Sequence, residues 1–220
     1  MSPEPVLEKL RADAQSIVQA CIAAADPEAA VKRYLKREGD DLSVGRDLHV
    51  RLSDWDRVLV VGAGKASAAM AVAVEDVLSD RVQEGLISVK YGHGLPLHSV
   101  RVMESGHPLP DAAGERAARG IMDILSSAGE RDLVISCISG GGSALMPAPA
   151  PGLTLEDKRV LTERLSAVGA DIHELNAVRK HVSLSKGGNL MRMAYPAFVI
   201  NLMLSDVVGD DPQTIASGPF

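Results

Sequence analysis

Four short stretches of this sequence gather residues suited to binding anions or moving protons. Gly62-Ala63-Gly64-Lys65 sets a mobile ammonium beside two glycines, which let a backbone approach a phosphate closely. Ser139-Gly140-Gly141-Gly142-Ser143 offers successive N–H groups that can form a nest for phosphate or carboxylate, with two hydroxyls as further donors. Asn176-Ala177-Val178-Arg179-Lys180-His181, followed by Lys186-Gly187-Gly188, concentrates cations that can clamp a polyphosphate or a carboxylate. The same cations would equally decorate a helix end, where positive charge meets the dipole. Ser205-Asp206 opens a run that continues to Asp210, Asp211 and Pro212. A lone aspartate can hold magnesium or accept a proton from an alcohol, and the residues alone do not separate the two roles for Asp206. Asp210 and Asp211 also suit a turn before the proline. His107, in the stiff loop Gly106-His107-Pro108, either orients a substrate or bonds within its turn, whereas His93, His98 and Cys137 read as structural.

Two familiar motifs are excluded and a third, the dinucleotide fingerprint, is weakened. A Walker A loop needs glycine at 59, which is Leu59. A dinucleotide fingerprint needs glycine at 67 and an acid at the end of the second strand; the sequence has Ser67 and Lys90. No Gly-x-Ser-x-Gly hydrolase elbow surrounds the serines.

The elements that must carry these residues are legible from hydrophobic rhythm. Residues 57–62 read as a buried strand and 65–78 as the helix after it. Residues 85–90, 100–104, 132–138 and 197–204 read as further strands. Residues 112–126 form a helix with Asp111 as N-cap, and Thr154 with Asp157 opens another through a capping box. Short apolar strands alternating with helices predict an α/β, Rossmann-like fold, a mostly parallel sheet with helices on both faces. In such a sheet ligands bind beyond the carboxyl ends of the strands, where the stretches at 62–65, 139–143 and 205–206 fall, together with Tyr91-Gly92-His93 and Gly106-His107-Pro108. Residues 1–50 are expected to supply helices packing on the core, with a loop between them and the first strand. Residues 51–220 form the core of the same domain.

Composition narrows the partners. With 46% hydrophobic and 24% charged residues, the chain is an ordinary globular one. A formal charge of −6 and only 3% aromatics argue against nucleic acid and against an anionic membrane surface. No apolar stretch is long enough to span a bilayer, no signal-peptide core opens the sequence, and two cysteines give no disulfide framework. A cytoplasmic protein is expected, with a homo-oligomer left open.

Read together, GAGKAS at 62–67, GHPLPD at 106–111, SGGGSAL at 139–145, NAVRKHVSLSKGG at 176–188 and LSDVVGDDPQTIASGP at 204–219 resemble the glycerate 2-kinases of the MOFRL-domain type. Members of that family also carry the name hydroxypyruvate reductase. The resemblance implies a Rossmann-like N-terminal domain facing a C-terminal MOFRL domain, which the 220 residues do not include. It implies transfer of the ATP γ-phosphoryl group to the 2-hydroxyl of glycerate, with Mg²⁺. Carried onto this sequence, Lys65 and Asp206 are the catalytic candidates, with Asp206 also the metal candidate. Gly62, Gly64, Lys65 and Lys186 would meet the nucleotide. His107, Ser139, Gly140, Gly141, Gly142, Ser143, Arg179 and Lys180 would meet the substrate or another anion. The rival readings are an NAD(P)H-dependent hydroxypyruvate reductase and a non-catalytic module that binds nucleotide or hydroxy acid.

Overall fold

Strand β4 (Arg57–Ala63) shows why the core forms. Its alternate residues Val58 and Val60 point to one face and Leu59, Val61 and Ala63 to the other, and all five are fully buried. A strand covered on both faces reads as a continuous apolar run and requires helices above and below. In the computed structural model, which describes residues 3–220, α3 (Ser67–Leu78) covers the first face and α4 (Ala112–Ser126) the second. Around β4 lie β5 (Val82–Lys90), β6 (Val100–Ser105), β7 (Asp132–Ser139) and β8 (Phe198–Leu204). They form one five-stranded sheet in the order β6-β5-β4-β7-β8, parallel throughout. The expected α/β class is therefore the observed one, and every strand lies within a few residues of its expected place.

Local chemistry fixes the helix starts. Asp111 accepts the Gly114 N–H at 2.9 Å and caps α4. After the one-turn α5 (Gly142–Leu145), Thr154 and Asp157 close both arms of a capping box on α6 (Leu155–Ala167), and Asp171 with Glu174 does the same for α7 (Ile172–His181). The buried Glu75 of α3 accepts the N–H groups of His98, Ser99 and Val100, tying the β5–β6 connection to the helix.

The N-terminal segment departs from expectation in two ways. Residues 35–51 are not a loop: β1 (Leu35–Glu38), β2 (Asp41–Val44) and β3 (Leu48–Arg51) form a separate antiparallel sheet. Its Leu35 and Leu42 are fully buried in the same core as α3. Of the two helices, α2 (Pro27–Tyr34) buries Val31 there. The longer α1 (Pro3–Ala24) does not pack on the core, because its apolar side chains, Leu7, Leu10 and Ile17 among them, stay at least half exposed. No described helix is long and apolar enough to cross a membrane.

This topology decides where chemistry is possible. The chain winds outward through β5 and β6, then returns to the other side of β4 as β7 and β8. The crevice between the carboxyl ends of β4 and β7 is the switch point at which ligands bind in open parallel sheets.

Candidate active site

Two glycine-bearing turns meet at that crevice, and their hydrogen bonds distinguish them. In the 62–65 turn every N–H from Gly64 to Ser67 already has a protein acceptor. Gly64 donates to Ser88 O at 3.1 Å, Lys65 to Gly140 O at 2.9 Å, Ala66 to Ser139 Oγ at 3.0 Å and Ser67 to Gly64 O at 3.3 Å. The expected backbone cradle for a phosphate at this turn is therefore absent. Gly62 and Gly64 are glycines for packing instead: a Cβ at Gly62 would lie 2.1 Å from Cys137 O, and one at Gly64 would lie 2.0 Å from Ser139 Oγ. Ser139 belongs to the same correction, since its buried hydroxyl joins β7 to the turn rather than facing a ligand.

The loop after β7 is the opposite case. The N–H groups of Gly141, Gly142 and Ser143 have no acceptor among the described residues; Gly141 caps and Gly142 opens the one-turn helix α5, whose first N–H groups have no partner within the helix and need one outside it. Gly141 holds φ +90°, a conformation that glycine adopts at least cost. Around this loop stand three side chains foreseen from the sequence. A Cβ on Gly140 would meet the Asp206 carboxylate at 2.1 Å, and one on Gly141 would meet His107 Nε2 at 2.8 Å and Lys65 Cγ at 3.4 Å. Lys65 and Asp206 are exposed, and neither has an ion-pair or side-chain hydrogen-bond partner among the described residues. His107 is held below the ordinary imidazole range, chiefly by burial and then by the charges of Lys65 and Lys90. Its ring is therefore neutral at neutral pH. Asp211 is a turn residue, bonding Thr214 Oγ1 at 2.7 Å and the Gln213 N–H at 3.0 Å.

The far flank of the loop carries the cations of the basic segment, divided by helical geometry. Arg179 Nη2 donates to Ser143 Oγ at 3.2 Å, and Lys186 Nζ reaches Ser143 O at 2.7 Å and Oγ at 2.5 Å. Lys186, expected beside the nucleotide with Lys65, thus sits against the last residue of the loop and is only 2% exposed. Lys180 points elsewhere, against Gly187 and the 212–220 segment. Sequence reasoning missed Lys158, whose ammonium is buried beside Arg179 on the otherwise polar α6. It also missed Ser217, whose hydroxyl lies 3.1 Å from Ser143 Oγ. Ala216 and Ser217 both hold positive φ against the loop, a cost typical of segments under functional constraint.

An Agrobacterium vitis protein named "Putative hydroxypyruvate reductase" is 50% identical over 163 residues, covering 74% of this chain and 42% of its own length. A glycerate 2-kinase of Pyrococcus horikoshii is 43% identical over 204 residues, 92% of this chain and 45% of the relative. The crystal structure of a glycerate kinase from Thermotoga maritima superposes with a TM-score of 0.83 at 37% identity, covering 96% of this chain and 48% of that one. The chain thus spans less than half the length of these relatives. Residues 13–220 match the family model described as a domain of unknown function, DUF4147; the chain belongs to that family, and its likeness to glycerate 2-kinases covers their N-terminal part.

Proposed function

We propose that this chain carries the substrate- and phosphate-binding part of a glycerate 2-kinase, which transfers the γ-phosphoryl group of ATP to the 2-hydroxyl of glycerate. The observation that carries the reading is the 141–143 loop, with unclaimed N–H donors and with Lys65, His107 and Asp206 arranged around it. Phosphoryl transfer asks mainly for positioning and charge neutralisation, and this set supplies both. Lys65 neutralises charge on the phosphates. The loop N–H groups, with Ser143 and Arg179, hold the glycerate carboxylate and so orient the 2-hydroxyl. His107, uncharged, turns a ring nitrogen towards the substrate. Asp206 accepts the hydroxyl proton or holds a divalent metal.

Among the described residues no group of three His, Cys, Asp or Glu side chains is placed to hold a metal unaided. A single free carboxylate beside a phosphate site nonetheless fits Mg²⁺, which keeps waters and phosphate oxygens in its coordination sphere. Asp206 would hold it, and the ion would supply neutralisation of charge on the phosphates.

The nicotinamide reading loses its support at the 62–65 turn, because a pyrophosphate needs the N–H groups that the protein has already used there. The test sets ADP formation with glycerate beside nicotinamide oxidation with hydroxypyruvate, using the protein. Glycerate-dependent ADP formation with 2-phosphoglycerate as product is expected. Hydroxypyruvate reduction without ADP formation would overturn the proposal.

A further inference from the structure

Lys158, Arg179 and Lys186 line one small cavity of about 160 Å³ beside Ser143, walled by Pro108 and Pro147. That is well short of the roughly 300–1,000 Å³ of a typical small-molecule pocket, and it suits a head group rather than a whole nucleotide. Among the described residues none of the three cations has an ion-pair partner. Lys186 and Arg179 spend their side-chain contacts on Ser143, and the Lys158 ammonium is buried with none of its three donors used. The acid among the lining residues, Glu163, is paired with Arg159. Burial and the neighbouring cations push Lys158 down to about 8 and Lys186 well below the ordinary lysine value. An unpaired buried charge is costly, and three together are costlier still, unless an anion completes the set. Ser143 belongs also to the loop with free N–H groups, so both donor sets face one neighbourhood.

We infer that Lys158, Arg179 and Lys186 form a subsite for a small oxyanion, a carboxylate or a phosphoryl group, with Lys158 as a direct ligand. The inference deepens the proposed function and rests on it only in naming glycerate as the carboxylate source.

The test uses the 220-residue chain, sodium glycerate and inorganic phosphate as separate probes at constant ionic strength, and the variants Lys158→Met and Lys158→Gln. Titration calorimetry should show saturable binding to the wild type. Both variants should weaken it by roughly 10–100-fold, the loss of one charge-assisted hydrogen bond. Without anion, Lys158→Met should melt above the wild type, because an uncompensated buried charge is gone; a lysine with a purely structural role would give the reverse. Lys158-dependent binding of glycerate assigns the site to the carboxylate, and such binding of phosphate alone assigns it to a phosphoryl group. No saturable binding of either probe, or equal binding by wild type and variants, overturns the subsite. In an activity assay of the protein, kinase activity with the KM for glycerate and the KM for ATP both unchanged in Lys158→Met overturns the subsite and leaves the reaction standing. Lys158-dependent binding in a protein that never phosphorylates glycerate does the opposite.

Discussion

Replacing Gly141 by alanine tests whether the loop geometry matters for binding. The new Cβ would lie 2.8 Å from His107 Nε2 and 2.9 Å from its Cδ2, where ordinary contacts begin at 3.4 Å. The imidazole must therefore retreat by roughly half an ångström or more, and the backbone must hold φ +90° with a side chain attached. Strain of this kind costs about 1–3 kcal/mol. For a chain of this size each kcal/mol lowers the melting temperature by roughly 2–4 °C. Gly39→Ala is the control, since Gly39 also holds a positive φ but has nothing within 4 Å of its Cβ. Calorimetric melting of both variants separates the backbone cost from the displacement of His107. Titration with glycerate and with ATP then reads the site. Gly141→Ala should weaken glycerate binding more than ATP binding, and Gly39→Ala should change neither. Unchanged melting and unchanged glycerate binding in Gly141→Ala would refute the reasoning. A collapse of ATP affinity with glycerate untouched would transfer the loop to the nucleotide.

Four further outcomes are expected. Lys65→Ala in the full-length protein should raise the phosphoryl-transfer barrier by about 2.7–4 kcal/mol, as other single electrostatic donors do, and near-equal rates would remove Lys65 from the mechanism. Asp206→Asn should depress turnover across all Mg²⁺ concentrations while shifting stability by no more than about 0.5 kcal/mol, because Asp206 is exposed and unpaired among the described residues. Lys158 faces Arg179 and Lys186, and its folded-state value of about 8 lies below that of an unfolded lysine, so the unfolded chain binds more protons between the two. Stability should accordingly rise as pH climbs from about 8 towards the ordinary lysine value, and the part due to Lys158 should be absent from Lys158→Met and so appear as the pH dependence of the difference between wild type and variant. Native protein should react with a thiol reagent at exposed Cys21 alone, since complete burial pushes Cys137 up to about 12, and both thiols should react after unfolding.

The sequence by itself determined what is local or periodic. Two-sided apolar runs fixed the parallel strands, and Asp111 and the Thr154–Asp157 box fixed helix starts, because both signals act within a few residues. Glycine, lysine and aspartate at strand ends marked the crevice for the same reason. The antiparallel sheet at 35–51 is not legible in the sequence because each of its strands is only four residues long and at least half polar, with Leu35 and Leu42 its only fully buried side chains. Tertiary structure alone decided which glycine turn keeps free donors. The 62–65 turn resembles an anion cradle in isolation, yet Ser88 and Ser139–Gly140, brought in by the neighbouring strands β5 and β7, take its N–H groups. Lys158 shows the same dependence: on the polar helix α6 it reads as a solvated charge, and the docking of that helix over Ser143 and Pro147 turns it into a buried cation without a partner. Whether a donor is free or a charge is paired depends on neighbours distant in sequence, and no local pattern of residues encodes them.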